Sequence, residues 1–384
     1  MTVVIVGLAT IEEMAGGSAR YLSGLVSGLR ALGHDVTVLT AARHVTTVGY
    51  SEPGWSGQLR RALARFVLVL PRTFLTVLRL RPDVVNSHFA LDGLPAVLAA
   101  WLVRVPVVVT FHGPWALEAI ATGRRGRWPL STLARRRIER FVYRRAQRCI
   151  VLSRAFGELL ISEYGVDPKR VSVIPGGLDT RHFETLPAAP EARRRLGLPE
   201  RYTMATVRRL VPRMGLDLAI GALYEVAADL DAQLVIAGIG PDRQRLEGRA
   251  HELGLDDRVK FLGRLPEADL GLLYAAADVC VVPSRELEGF GYVALEALAA
   301  GAPVVAVGTG GLAELVGGLE PGWVVAGDAS SIAAAVRRLA AAPDRRPDRH
   351  ARQAYASTMD WAGIAPRVVN VFEAAMGPRG THRR

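Results

Sequence analysis

Two glutamates, Glu288 and Glu296, stand with seven residues between them around a Gly289-Phe-Gly291 turn, inside the run Pro283–Ala306. The run reads as a strand end, the glycine turn and a helix over about Tyr292–Ala300. The first backbone amides of such a helix have no partner within it and can receive phosphate oxygens. Two carboxylates at the mouth of an anion site would repel a bare diphosphate, so they suit the neutral parts of a ligand, sugar hydroxyls above all. The other reading is a capping glutamate beside a solvated helix glutamate, and the residues alone leave both open. His112 follows the strand Val105–Phe111 and His88 ends the strand Asp83–Ser87, so both fall at strand ends; each could equally be structural. A zinc site built on these two lacks a third and a fourth ligand. The one literal Asp-x-Asp, Asp229-Leu-Asp231, lies before the strand Gln233–Ala237 and reads as a helix terminator. No metal is expected.

The elements that position these residues need a core, and the composition supplies one. The chain has 384 residues, 50% hydrophobic and 22% charged, which suits two folded domains and excludes disorder for the bulk of it. Two cysteines, Cys149 and Cys280, exclude a disulfide scaffold and a four-cysteine zinc site, and their apolar neighbours mark them as buried thiols. The start, Met1–Gly7, is a strand running into glycine with no basic leader. The apolar stretch Phe66–Leu80 is broken by Pro71, Arg72 and Arg79, short of the ~20 residues needed to span a bilayer. A cytosolic protein is the expectation. The net charge of +11 is concentrated: ten arginines and one acid, Glu139, fall between Arg124 and Arg148. Nucleic-acid binding would want basic residues along a groove with aromatics interleaved, and one helix-sized patch does not make that pattern.

Short β-branched runs alternate with longer Ala/Leu/Arg segments of helical period, which predicts parallel sheets with crossover helices. Strands are expected at Val3–Val6, His34–Leu39, Asp83–Ser87, Val105–Thr110 and Arg148–Leu152, then at Tyr202–Val207, Gln233–Ala237, Val259–Leu262, Val279–Val282 and Pro303–Val307. The seam falls in the turn-rich stretch Val173–Leu186. The expected fold is α/β, with two doubly wound, Rossmann-like parallel-sheet domains facing a central cleft. Such sheets bind ligands at the carboxyl ends of their strands, so a nucleotide or phosphate ligand comes first. No glycine loop carries the lysine of a P-loop, and Gly7 is followed by Leu8-Ala-Thr10 instead of a dinucleotide fingerprint. A pyridoxal-dependent phosphorylase needs a Schiff-base lysine, and neither Lys169 nor Lys260 sits in a glycine-rich site.

At this point a family resemblance becomes specific. The run Pro283–Ala306 resembles the signature of retaining glycosyltransferase family 4, enzymes of GT-B fold with seven residues between their paired glutamates. Other stretches agree in order: Gly16-Gly17, Thr110-Phe-His-Gly-Pro-Trp115, Val173-Ile-Pro-Gly-Gly-Leu-Asp179 and Arg209-Leu-Val-Pro-Arg-Met-Gly215. Val235-Ile-Ala-Gly-Ile-Gly-Pro241, Phe261-Leu-Gly-Arg264, Ala277-Asp278 and Gly310-Gly-Leu-Ala-Glu314 complete the series, which covers nearly the whole chain. The resemblance implies an acceptor-binding domain over residues 1–175 and a nucleotide-sugar domain over 176–358. It also implies a helix over 359–376 crossing back to the first domain; the basic tail over 377–384 reads from its own residues as disordered. Glu296 would accept hydrogen bonds from ribose hydroxyls. Glu288 and His112 would act at the transferred sugar, and His88 would line the acceptor side. The amides around Phe290, Gly291, Tyr292 and Val293 would hold the diphosphate, with Gly17 approaching and Arg209 bridging phosphate oxygens in place of a metal.

The chain departs from the pattern five residues after Arg209, where many relatives carry lysine and this one has Met214, preceded by Arg213. Arg213 either replaces that cation or is a solvated loop residue. The implied activity is retaining, metal-independent glycosyl transfer without a cofactor, from a nucleotide-diphosphate sugar to a carbohydrate, lipid-linked or small-molecule acceptor, with UDP the default nucleotide. An epimerase or phosphorylase of the same plan, and a non-catalytic carbohydrate-binding homologue, are the alternatives. The basic helix carries an apolar stripe at Leu133, Ala134, Ile138, Phe141, Val142 and Ala146. The simplest expectation is that this stripe packs on the first sheet and leaves a solvated arginine face; peripheral contact with anionic membrane is the sharper one.

Overall fold

The computed structural model describes residues 1–7, 16–40, 70–114, 129–342 and 347–377. Trp115, Arg124–Arg127 and the tail 378–384 lie outside them. The chain divides into two compact units, Met1–Gly177 with Trp361–Arg384, and Leu178–Asp360.

The first unit is a six-stranded parallel sheet of β1 (Thr2–Gly7), β2 (Asp35–Thr40), β3 (Val84–Ser87), β4 (Val107–Phe111), β5 (Arg148–Val151) and β6 (Val171–Val173). The strand order is β2-β1-β3-β4-β5-β6, so the winding reverses between β1 and β3. Helices α1 (Gly17–Ala31), α2 (Leu70–Leu80), α3 (Ala90–Leu102), α4 (Pro129–Arg145) and α5 (Arg154–Tyr164) belong to it. Its inner strands β1, β3, β4 and β5 are buried along most of their length, which is why they read as continuous Val/Ile runs instead of alternating ones: Val3, Val4 and Ile5 are fully buried. Helix ends follow local chemistry. Ser153 caps α5 by accepting from the amide of Phe156, and Gly165 closes the helix in the left-handed region.

The second unit repeats the architecture with β7 (Tyr202–Val207), β8 (Ala232–Ala237), β9 (Val259–Gly263), β10 (Val279–Val282), β11 (Val304–Val307) and β12 (Val324–Val325). The order is β12-β11-β10-β7-β8-β9, and the winding reverses between β7 and β10. Its helices are α6 (Ala189–Arg195), α7 (Leu216–Val226), α8 (Arg243–Glu252), α9 (Glu267–Ala276), α10 (Tyr292–Ala299), α11 (Gly310–Gly317), α12 (Ala329–Ala341) and α13 (Arg349–Ser357). Asp328 and Asp348 cap α12 and α13 through the amides of Ser331 and Ala351. The chain then returns to the first unit as α14 (Trp361–Met376), which packs on α1. That packing depends on glycine: a Cβ at Gly24 would stand 1.9 Å from the indole nitrogen of Trp361.

The stripe on α4 behaves differently from expectation. Val142 and Ala146 are buried, but Leu133 is 57% and Phe141 37% exposed. Leu133, Ala134 and Phe141 stay exposed, while Ile138 packs against the core that Val142 and Ala146 join.

Candidate functional site

In the second unit the loops that follow β7 and β10 meet at the point where the winding reverses, the usual ligand position in an open α/β sheet. Arg208 follows β7, and Ser284 and Glu288 follow β10. The Nη2 of Arg208 donates to both Ser284 Oγ and the Glu288 carboxylate, and Ser284 donates to the same carboxylate oxygen at 3.0 Å. Ser284 and Arg208 are buried and the Glu288 side chain is 14% exposed, so this ion pair is shielded far better than a surface one. The Nε of Arg208 is also buried, with no hydrogen-bond partner among the described residues.

The loop carrying Glu288 is braced from several sides. Thr309 Oγ1 donates to Ser284 O at 2.8 Å, and the Gly311 amide donates to Glu288 O at 2.9 Å. The Arg285 amide donates to Arg213 O at 3.0 Å, while its guanidinium reaches both carboxylate oxygens of Asp217 at 2.7 Å. Those bonds from Arg285 hold the Asp217 carboxyl below the usual carboxylate range. Gly215, at φ 66°, ends the Pro212–Met214 turn so close to the other loop that a Cβ would lie 2.0 Å from Pro283 O. Leu287, next to Glu288, is itself held at φ 55°, a left-handed conformation that costs a non-glycine residue roughly 1–2 kcal/mol.

Glu296 lies in α10, one turn past the Gly289-Phe-Gly291 bend, and is 3% exposed. The phenol of Tyr274, on α9, donates to its Oε2 at 2.7 Å. A solvated glutamate is therefore excluded at this position. Gly291 at φ 99° starts α10, and the helix's own hydrogen bonds begin at the amide of Ala294, so the amides of Tyr292 and Val293 precede that ladder. Phe290 and Tyr292 are buried, with ring centroids 5.2 Å apart.

The first unit has a polar chain of its own where its winding reverses. His88 follows β3 and its amide donates to Val6 O on β1 at 2.9 Å. Asn86 Nδ2 donates to Val108 O and Thr110 Oγ1 at 3.1 and 3.0 Å, which leaves its Oδ1 as acceptor. His88 Nε2 must then donate to Asn86 Oδ1 (2.7 Å), and His88 Nδ1 must accept from His112 Nε2 (2.8 Å). The network thus assigns His112 the tautomer with its lone pair on Nδ1. Both rings are kept neutral. Burial, then the neighbouring His112, lowers the His88 value well below the ordinary one, and burial brings His112 down to about 4. Phe89 and His88 stack on His112, and Tyr21 meets it edge-on. Gly17 is the first residue of α1.

Comparison with known proteins places both units in one family. Residues 15–182 match the family described as Glycosyltransferase Family 4, and residues 189–358 match Glycosyl transferases group 1. D-inositol 3-phosphate glycosyltransferase of Acidothermus cellulolyticus is 32% identical across 96% of this chain and 87% of its own length. The chain belongs to glycosyltransferase family 4. Glycogen synthase of Mycobacterium tuberculosis is 31% identical across 98% of this chain and 95% of its own. Among solved structures, Anabaena HepE in complex with UDP superposes with a TM-score of 0.77, at 21% identity, over 97% of this chain and all of that one, which shows the GT-B fold.

Within this glycosyltransferase, several residues of the expected motifs are accounted for by structure. Asp278 of the Ala277-Asp278 motif accepts from the Thr203 amide (2.7 Å) and from buried Arg193 (2.6 Å), tying β10 to β7. Asp229 and Asp231 pair with Arg337 and Arg258 at 3.0 and 2.8 Å at the end of the segment that follows α7. The thiols of Cys149 and Cys280 are buried and pushed up to about 12. Arg209 is exposed, whereas Arg213 is 6% exposed, so it is not a solvated loop residue. Arg208, Ser284, Tyr274 and Asn86 were not anticipated. Tyr274 had a legible signal, since a phenol in an Ala/Leu helix needs a polar partner once buried. Arg208 had none, because nothing local separates it from its neighbour Arg209.

Proposed function

We propose that this glycosyltransferase moves a sugar from a nucleotide-diphosphate sugar, a UDP-sugar, to an acceptor hydroxyl with retention of anomeric configuration and without a metal. The observation that carries the reading is the pair of shielded carboxylates at the reversal point of the second sheet, one held by an arginine and a serine, the other by a tyrosine. Glu296 accepts from the ribose hydroxyls. The amides at Phe290–Val293, with Arg209 and Arg213, hold the diphosphate and take up the charge that grows as the sugar leaves. Glu288, oriented by Arg208 and Ser284, accepts from hydroxyls of the transferred sugar. The anomeric C–O bond to phosphate breaks through an oxocarbenium-like state, the acceptor oxygen bonds on the same face, and its proton goes to the departing phosphate oxygen. His112, through the lone pair on Nδ1, orients a sugar hydroxyl, and His88 keeps that lone pair in place. The UDP choice is supported by the nucleotide in the HepE complex. The two relatives act on an inositol phosphate and a glucan by their names, so the acceptor is assigned only as a hydroxyl compound of envelope-glycan, glycolipid or secondary-metabolite type.

The test is turnover of a panel of sugar nucleotides with candidate acceptors in excess EDTA, with the product's anomeric coupling read by NMR. An α-donor should yield an α-linked product at an unchanged rate. An inverted product, or turnover that needs added Mg²⁺ or Mn²⁺, would overturn the mechanism.

A further inference from the structure

The first unit carries a face on which large apolar side chains and unpaired arginines share the solvent. On α3, Leu98, Trp101 and Leu102 fall at i, i+3 and i+4 and are 39%, 65% and 63% exposed. Single exposed hydrophobics are ordinary, but a stripe at helical spacing is what a fold normally covers. On the packed neighbour α4, Leu133 and Phe141 are exposed as well. Arg145 joins the two helices, its guanidinium carbon 5.3 Å from the Trp101 ring centroid and 5.0 Å from that of Phe141. Beside this sandwich lies a cavity of about 360 Å³ lined by Arg145, Arg148 and Arg170. It shares Gln147 and Ala375 with a second cavity, of about 570 Å³, lined by Trp101, Leu102, Arg104 and Met376. Arg104 is kept at φ 58°, the left-handed position after a helix where glycine is the usual residue.

The charge on this face is not neutralised. Arg148 donates to Lys169 O at 2.8 Å and Arg170 to the carbonyls of Arg144 and Ala146 at 3.5 Å, so their partners are uncharged. No carboxylate among the described residues pairs with Arg104, Arg145, Arg148 or Arg170. The nearby acids are committed elsewhere: Glu139 is buried against Tyr164, Glu163 pairs with Arg136, and Asp167 caps the Lys169 amide. Glu158 of α5 and Glu373 of α14 are exposed acids that remain, and the charge of Glu373 acts on His34.

We propose that this face docks on an anionic lipid bilayer, with headgroup phosphates in the Arg145–Arg148–Arg170 cavity and Trp101 and Leu102 at the depth of the glycerol and upper acyl chains. A bilayer matches both halves of the surface. Its anionic headgroups complement the arginines, and its interior takes the aliphatic Leu98 and Leu102, for which a nucleic acid offers no counterpart. The contact is peripheral, since no helix among the described residues is long and apolar enough to cross a membrane. It centres on the end of α3 and its junction with α4, not on the arginine-rich surface of α4 alone.

The experiment is co-sedimentation of the full chain with vesicles of phosphatidylcholine alone and of phosphatidylcholine with phosphatidylglycerol. Binding is expected only with phosphatidylglycerol, and it should weaken with salt. R145E/R148E should lower the partition at least about tenfold, from the loss of two cations near the surface. The same reversal on α8 of the second unit, R245E/R249E, should leave it within about twofold. W101S/L102S changes no charge and exposes less apolar surface, so it should fold as well as the parent by circular dichroism and still lose most of the binding. Brominated acyl chains should quench fluorescence in the parent and not in W101F. Equal binding to both vesicle types, equal losses at the two arginine pairs, undiminished binding by W101S/L102S, or a Trp101-dependent dimer that ignores vesicles would each overturn the proposal.

Discussion

Arg208 shows how a one-residue difference in placement changes a chemical role. It follows β7 beside Arg209, yet its side chain is the one that turns inward, because the Ser284 hydroxyl and the Glu288 carboxylate lie across the gap between β7 and β10. Removing a guanidinium from a shielded carboxylate forfeits about 1.5–3 kcal/mol of charged hydrogen bonding. Arg208→Ala should accordingly lower kcat roughly 10- to 150-fold. Affinity for UDP should change little, since Glu288 addresses the sugar. Arg208→Lys should recover part of the loss. Isothermal titration with UDP alongside steady-state kinetics checks the split, and a matching fall in UDP affinity would move Arg208 from positioning Glu288 to holding the diphosphate. The relay in the first unit invites a parallel argument. Asn86→Asp keeps the acceptor for His88 but adds a negative charge, which should favour a charged His88 donating to His112 and so reverse the His112 tautomer. The kcat pH profile should then show its acid-side fall at higher pH than in the parent, whose His112 binds a proton only near 4.

At the scale of elements, the α1–α14 contact is the most exposed to a single change. The Trp361 indole lies where a side chain on Gly24 would be, and the ring also meets Tyr21 edge-on at 5.2 Å. Gly24→Ala forces the tryptophan to move and should destabilise the protein by about 1–3 kcal/mol, the usual range for overpacking. Gly24→Ala combined with Trp361→Leu should be less destabilised than the sum of the two, because the smaller side chain vacates the space. Denaturant unfolding of the four proteins measures this coupling, and additive effects would mean that α14 accommodates the methyl without strain.

For the whole molecule, the neutral histidine pair predicts how stability responds to acid. In the unfolded chain His88 and His112 bind protons near the ordinary value of about 6.5. In the folded chain His112 binds only near 4 and His88 is also well below ordinary. Between those values the unfolded chain holds more protons, so stability is full above about 6.5 and is lost as the pH falls toward 4. His112 is partly exposed, which tempers the effect to the order of 2 kcal/mol. Thermal melts of the parent should fall across this window more steeply than those of His112→Asn, and parallel curves would remove the histidines from the account.

The linear order of residues was enough to determine the two α/β halves, because strands buried on both faces are written as Val/Ile runs and their crossover helices as 3.6-residue stripes. It also marked Glu288 and Glu296, since a glycine turn opening a helix is a local event and the seven-residue spacing belongs to a single loop and helix. The short edge strands β6 and β12 were not legible, as two or three residues carry no periodicity. Nor was the exposure of Leu98, Trp101, Leu102 and Phe141, because a stripe shows which residues want cover and not whether the fold has a surface to offer. Only the tertiary structure decided that Arg208 serves Glu288, that Tyr274 serves Glu296 and that Asn86 sets two imidazoles. Each of those pairs, apart from Asn86 with His88, joins residues more than twenty positions apart, brought together by sheet order, and hydrogen bonds act over about 3 Å of space whatever the distance along the chain.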